Sequence, residues 1–152
     1  MRIVAGESHL FEVKDMIIEY TKSLGRDLSF QDLESELKDV AYKYTDPHGK
    51  LLVAVDDDNK VLGIVAYHRL TDDRCEMKRL YVSPNCRGLG VGENLVNSII
   101  EEAKKSGFKE IVLDTIEPLK AAIRLYRKLG FNECEAYYNN PMDDVIYMIK
   151  IL

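Results

Sequence analysis

An α/β fold, a mixed sheet with helices on both faces, is predicted by three features of the 152-residue sequence. Apolar residues step by three and four in separate stretches, short apolar runs stand between those stretches, and Gly or Pro punctuates the joints. The order read along the chain is β-α-α-β-β-β-α-β-α-β-β. There is no internal repeat, linker-like stretch or low-complexity segment, so residues 1–152 read as one domain.

Arg2 to Ala5 is a short apolar run ending at Gly6, a first strand. Leu10, Val13, Ile17, Tyr20 and Leu24 then mark one face of a helix, which Gly25 ends as a left-handed residue. Phe30, Leu33, Leu37, Val40 and Tyr44 mark a second helix, capped by Ser29 with Asp32 three residues on and closed by Pro47 and Gly49. Leu51–Val55 and Val61–Leu70 read as a hairpin across the acidic turn Asp56-Asp57-Asp58-Asn59. After the turn Thr71-Asp72-Asp73, Cys75–Val82 is a third strand of this group. Leu95, Val96, Ile99, Ile100 and Ala103 face the core from a helix that Gly107 ends. Ile111–Leu113 is apolar without alternation, which predicts a strand buried on both faces. Pro118 suits the first turn of a helix carried on by Ala121, Ala122, Leu125, Tyr126 and Leu129 to Gly130. Strands at Glu133–Tyr138 and Val145–Ile151 close the chain.

Composition excludes several classes. With 21 Lys and Arg against 26 Asp and Glu, the net charge is −5, which disfavours a general grip on nucleic acid. No apolar run approaches a membrane span, and Met1-Arg2-Ile3-Val4-Ala5 turns polar at Glu7 without a leader's apolar core. Cys75, Cys86 and Cys134 are odd in number and far apart, and His9, His48 and His68 lack ligand spacing. Neither a disulfide framework nor a metal site is expected, and a cytoplasmic protein with reduced thiols is.

The most informative segment is Val82-Ser83-Pro84-Asn85-Cys86-Arg87-Gly88-Leu89-Gly90-Val91-Gly92, which leaves a strand and opens a helix. Glycine lets the backbone approach a ligand closely, and the free N–H groups of a first helical turn favour an anion such as a pyrophosphate. Arg87 adds a permanent charge beside them. The Gly-Lys-Ser/Thr ending of a nucleotide phosphate loop is missing, and Leu95 stands where a dinucleotide fingerprint needs Gly. A strand-to-helix turn needing glycine only for tight packing is the plainer alternative.

Arg87-Gly88-Leu89-Gly90-Val91-Gly92, after Leu80-Tyr81-Val82-Ser83-Pro84, resembles the acyl-CoA-binding motif of the GNAT acyltransferases. Tyr126-Arg127-Lys128-Leu129-Gly130-Phe131 resembles that family's second signature, and the order of elements agrees over nearly the whole chain. The resemblance implies a mixed, mostly antiparallel central sheet with a splayed strand pair. It further implies that the Arg87–Gly92 amides hold the CoA pyrophosphate and that Leu80–Val82 part from Ile111–Leu113. Pantetheine would lie in that cleft, paired with the main chain of Leu80, Tyr81 and Val82.

Attack on a thioester needs a neutral amine, a stabilised oxyanion and a proton for the departing thiolate. The resemblance assigns the proton to Tyr126, whose hydroxyl would sit near the CoA sulfur; a phenol of pKa near ~10 is protonated at neutral pH. Packing alone would equally place Tyr126 on the helix's buried face beside Leu125 and Leu129. Glu76, six residues before Val82, is the candidate base, against the alternative of a strand carboxylate paired with Lys78 or Arg69. Many relatives carry Asn seven residues before this tyrosine, where Leu119 stands here. Lys120 and Arg124 would reach an adenosine phosphate, against the alternative of a solvated helix face; Tyr67, His68 and Arg69 would line the acceptor side, against that of a surface strand end; and the turn Tyr137-Tyr138-Asn139-Asn140-Pro141 would border the pocket, against that of core packing. Cys86, beside Arg87, reads as a bystander.

The expected activity is an acetyl-CoA-dependent N-acetyltransferase acting through a ternary complex, with CoA as co-substrate and no metal. The acceptor would be a primary amine on a small molecule or peptide, with Glu19, Asp27, Asp32 and Glu34 suiting a cationic one. A non-catalytic acyl-CoA sensor is the alternative, a nucleotide-phosphate binder or kinase is disfavoured, and the C-terminal edge strand leaves a homodimer open.

Overall fold

The computed structural model describes residues 1–28 and 31–152. Strand alternation decides how its sheet is covered. In β2 (Gly49–Val55), Leu51, Val53 and Val55 face one side and Leu52 and Ala54 the other; β3 (Val61–Arg69) splits Ile64 and Ala66 from Val65 and Tyr67 in the same way. Helix α1 (Leu10–Leu24) lays Val13, Met16 and Ile17 on the first side. Helix α4 (Val91–Lys105) lays Leu95, Val96, Ile99, Ile100 and Ala103 on the second. Each large apolar side chain buried in these layers contributes about 1.5–3 kcal/mol relative to exposure.

With β1 (Arg2–Ala5), β4 (Arg74–Val82), β5 (Glu110–Ile116), β6 (Asn132–Glu133) and β7 (Val145–Ile151), the sheet has seven strands in the order β1-β2-β3-β4-β5-β7-β6. Neighbours are antiparallel except β4 and β5, which run parallel. Helix α5 (Lys120–Lys128) joins the α4 side, where Tyr126 meets Phe131 edge-on with ring centroids 5.8 Å apart. The continuous burial expected of Ile111–Leu113 is present: β5 lies inside the sheet between β4 and β7, and Ile111 and Leu113 pack into the core on the α4 side.

Two expectations change. The second helix is two, α2 (Leu33–Lys38) and α3 (Val40–Tyr44), broken at Asp39 with φ −148° and ψ 81°. Asp39 Oδ1 accepts the Tyr42 amide at 3.0 Å, a local bond that restarts the helix. Ser29 and Phe30, read as that helix's start, lie outside the described residues. The strand expected over Glu133–Tyr138 is β6, Asn132–Glu133 alone, followed by one ladder-like bond from the Cys134 amide to the Tyr147 carbonyl at 2.9 Å. Beyond it Tyr137 and Tyr138 turn inward to bond Glu76 and Asp114, and those contacts replace a ladder. Among the described residues no helix is long and apolar enough to cross a membrane.

Candidate active site

The glycine-rich turn folds as its spacing predicts. Gly88 and Gly90 take φ +81° and +80°, angles an L side chain resists, and Gly90 is the residue before the first turn of α4. Gly90 offers no capping side chain, and among the described residues the amides of residues 89–93 have no protein acceptor. They open onto a cleft of about 680 Å³ whose walls include Leu80, Val82 and Leu125. Arg87 folds back over the end of β4, its Nε donating to the Val82 carbonyl at 3.2 Å and its guanidinium 5.5 Å from the Tyr81 ring centre. The residues thus fit a diphosphate: bare amides at a helix start, a fixed cation and no carboxylate bonded to the turn's amides.

From the turn the cleft leads into the sheet. β4 and β5 pair only over Arg74–Glu76 against Glu110–Val112. Beyond that they diverge, leaving a narrow wedge of about 60 Å³ between Met77–Leu80 and Leu113–Ile116. A β-bulge helps produce the divergence: Ile64 faces Tyr81 but Ala66 faces Lys78, so Arg79 and Leu80 together oppose Val65. The extra residue flips the alternation and sends Tyr81 to the α1 side. Arg79 holds φ +63°, unusual for a non-glycine residue, and is fixed there by Glu36 of α2. Its Nε and Nη2 donate to the two Glu36 oxygens at 2.8 and 3.1 Å, and Lys43 Nζ adds a third bond at 2.9 Å. Burial pushes the Glu36 carboxyl up, but these cations outweigh it and hold it at about 2.

Tyr126 lines both the cleft and the wedge. It is 7% exposed, and among the described residues its hydroxyl has no hydrogen-bond partner. Burial first, then the neighbouring Tyr20 and Asp114, raises its pKa above the ordinary 10.0, so the proton stays on at neutral pH. Asp114, which sequence reasoning missed, stands in the same wedge. It accepts from the Tyr138 hydroxyl and, at 2.9 Å, from Asn140 Nδ2.

Glu76 sits at the apex where the strands separate, 5% exposed. His68, its partner across β3 and β4, meets Oε1 through Nε2 at 2.6 Å, and the Tyr137 hydroxyl donates to Oε2. Burial raises the Glu76 pKa, yet the His68 bond, the Lys78 charge and the Tyr137 bond bring it down to about 2. Glu76 is therefore ionised at neutral pH, and His68 Nε2 is the donor. The pair lines a second cleft of about 400 Å³, bordered also by Lys78, Tyr137 and Tyr138.

Of the residues singled out in the sequence, Leu80, Tyr81, Val82, Arg87, Gly88, Gly90, Val91, Gly92 and Tyr126 meet around the first cleft. Leu89 departs from them: its side chain is 73% exposed, leaving only its main chain toward the turn. The strand segments that part are also shifted. Ile111 and Val112 remain paired with Cys75 and Glu76, so Leu80 looks across at Leu113–Ile116 instead. Glu76 reaches the second cleft, Lys120 borders the first and lies 3.5 Å from Glu117, and Leu119 contributes an apolar wall. Among the described residues no cluster of His, Cys, Asp and Glu could hold a metal ion.

The sequence profile of the Acetyltransferase (GNAT) family matches residues 14–131. An uncharacterized N-acetyltransferase of Schizosaccharomyces pombe is 45% identical over 140 residues, covering 91% of this chain and 86% of that protein. The chain spans about half the length of several other curated relatives it matches. Among solved structures, an acetyltransferase from Streptococcus agalactiae superposes with TM-score 0.79 at 26% identity, covering 99% of this chain and 98% of that one. A GNAT family acetyltransferase from Elizabethkingia anophelis, solved with acetyl-CoA bound, gives 0.63 at 22% identity over 77% of this chain and 82% of its own.

Proposed function

This chain belongs to the GNAT acetyltransferase family, and from that premise we propose that it transfers an acetyl group from acetyl-CoA directly to a primary amine of a small molecule or peptide. One observation carries the reading: a protonated, unpartnered Tyr126 hydroxyl stands where the cleft that starts at bare amides runs into the wedge. Acetyl-CoA brings an activated thioester and a thiolate leaving group. The amides of residues 88–92, with Arg87, bind its diphosphate. The unpaired edge of β4 at Leu80, Tyr81 and Val82 orients the arm and offers an N–H to the developing oxyanion.

Tyr126 gives its proton to the sulfur. Burial raises its pKa, so at neutral pH the phenol is in the protonated form that a donor to the departing thiolate must have. The amine's proton goes to the Glu76–His68 pair. A carboxylate held at about 2 is by itself a weak base. Its charge instead fixes the imidazole with Nε2–H toward Glu76, leaving Nδ1 to accept. Asp114 receives the arriving ammonium from the wedge wall. The unpaired thiols Cys75, Cys86 and Cys134 suit the reducing cytoplasm in which we place this activity.

Free-thiol release from acetyl-CoA across a broad amine panel tests the proposal. Steady turnover on at least one amine, lost in Tyr126→Phe, is expected. Tight CoA binding with no turnover on any amine would leave a binding module and overturn it.

A further inference from the structure

The second cleft and the wedge share a residue that the reaction so far leaves unused. Lys78 lines both. Its Nζ contacts Gln31 Oε1 at a long 3.5 Å, and among the described residues no carboxylate lies within 4.0 Å of it. The cleft's other cations differ: Lys43 is bonded to Glu36 at 2.9 Å and Arg74 to Glu110 at 2.6 Å. Glu76, two residues before Lys78, has both oxygens committed to His68 and Tyr137. Lys78 is half-buried with no carboxylate in contact among the described residues, and burial, with the Arg79 and Lys43 charges, lowers its pKa against the longer-range pull of Glu76 and Asp114. A carboxylate brought by a ligand would compensate its ammonium.

The register says where the rest of that ligand lies. Glu76 pairs with Val112, so two residues on, Lys78 of β4 and Asp114 of β5 project from the same face on opposite sides of the opening wedge. A cation and an anion thus flank the point of entry. Leu70, Tyr137 and Tyr138 border the cleft beyond. Resting on the acetyltransferase reading, we propose that the acceptor is an α-amino acid with an apolar or aromatic side chain. Lys78 holds its carboxylate, Asp114 meets its ammonium at the wedge, and its side chain lies in the second cleft against the tyrosines.

The matched set phenylalanine, phenylalaninamide and phenethylamine tests this by thiol release from acetyl-CoA. A charge-assisted bond to Lys78 predicts kcat/KM for phenylalanine above the other two by roughly 10–100-fold. Lys78→Met should bring the phenylalanine-to-amide ratio toward one, and Lys78→Arg should keep most of it. A ratio within one protein is insensitive to partial loss of folded enzyme. Calorimetry on the CoA-saturated protein gives a readout independent of turnover. N-acetylphenylalanine should bind wild type more tightly than N-acetylphenylalaninamide, and the difference should vanish in Lys78→Met. Equal binding of acid and amide by wild type, or a preference that survives Lys78→Met, would overturn the assignment. Failure of CoA itself to bind would instead strike the acetyltransferase reading, so the two failures are distinguishable.

Discussion

Gly92→Ala should move stability and donor affinity in opposite directions. Gly92 lies in the first turn of α4 and lines the cleft. A methyl built there would stand 3.7 Å from Val82 Cγ2 and 3.8 Å from Leu125 Cδ2, ordinary contacts that require no movement of the fold. Replacing glycine within a helix by alanine stabilises it by about 0.5–1 kcal/mol. For a domain of this size that is a rise in Tm of roughly 1–4 °C. The same two atoms, however, belong to walls of the cleft, so the methyl stands in the path of the diphosphate. Losing one charge-assisted amide bond costs about 1.5–3 kcal/mol, a rise in CoA dissociation constant of roughly 10–150-fold. Isothermal calorimetry with CoA and thermal unfolding of the apoprotein read the two quantities separately. Gly90→Ala is the control of opposite sign: φ is +80°, so the alanine should lower stability by about 1–2 kcal/mol. An unchanged CoA affinity in Gly92→Ala, with Tm raised, would refute the seating of the diphosphate on this turn.

Tyr126→Phe should lower kcat by about 10²–10⁴-fold and leave the acetyl-CoA KM and Tm nearly unchanged, because a positioned general acid is lost while no protein hydrogen bond is broken; retained kcat would contradict the proton donation. Glu36→Gln should destabilise by about 3–5 kcal/mol, since Arg79 would stay buried without its counter-charge; a denaturant-measured loss under ~1 kcal/mol would contradict the clamp on the bulge. Glu76 and Glu36 are both depressed from 4.5 to about 2, so their stabilisation is complete above pH 4.5 and is lost as pH falls from 4.5 through 2. Thermal unfolding at stepped pH should therefore show Tm falling across that window, less steeply in Glu76→Gln; equal slopes would contradict the Glu76 part.

Where local pattern and tertiary demand coincide, the sequence was sufficient. The period of Leu95 to Ala103, the glycine at 25 and the spacing of Arg87, Gly88 and Gly90 each state a backbone requirement that neighbours in space do not alter. The helix break at Asp39 was harder to see, because Leu37, Val40 and Tyr44 keep helical spacing across it. The bulge at Arg79 carries no local sign: glycine is the residue that announces a positive φ, and here an ion pair with Glu36, 43 positions away, enforces it. Asp114 was missed for a similar reason, since its partners Tyr138 and Asn140 come from a loop 24 and 26 residues downstream. Glu76 was singled out as a candidate base, with a solvated carboxylate paired with Lys78 or Arg69 as the alternative. Strand register places His68 against it, so in the proposed reaction Glu76 acts not as a lone base but as the member of a pair that fixes an imidazole.

A crystal structure of the protein with acetyl-CoA tests the central claim most directly. The diphosphate should rest on the amides of residues 88–92, and the sulfur should lie between β4 and β5 within hydrogen-bonding reach of the Tyr126 hydroxyl. Phosphates bound elsewhere, or a sulfur remote from a still unpartnered Tyr126, would contradict it.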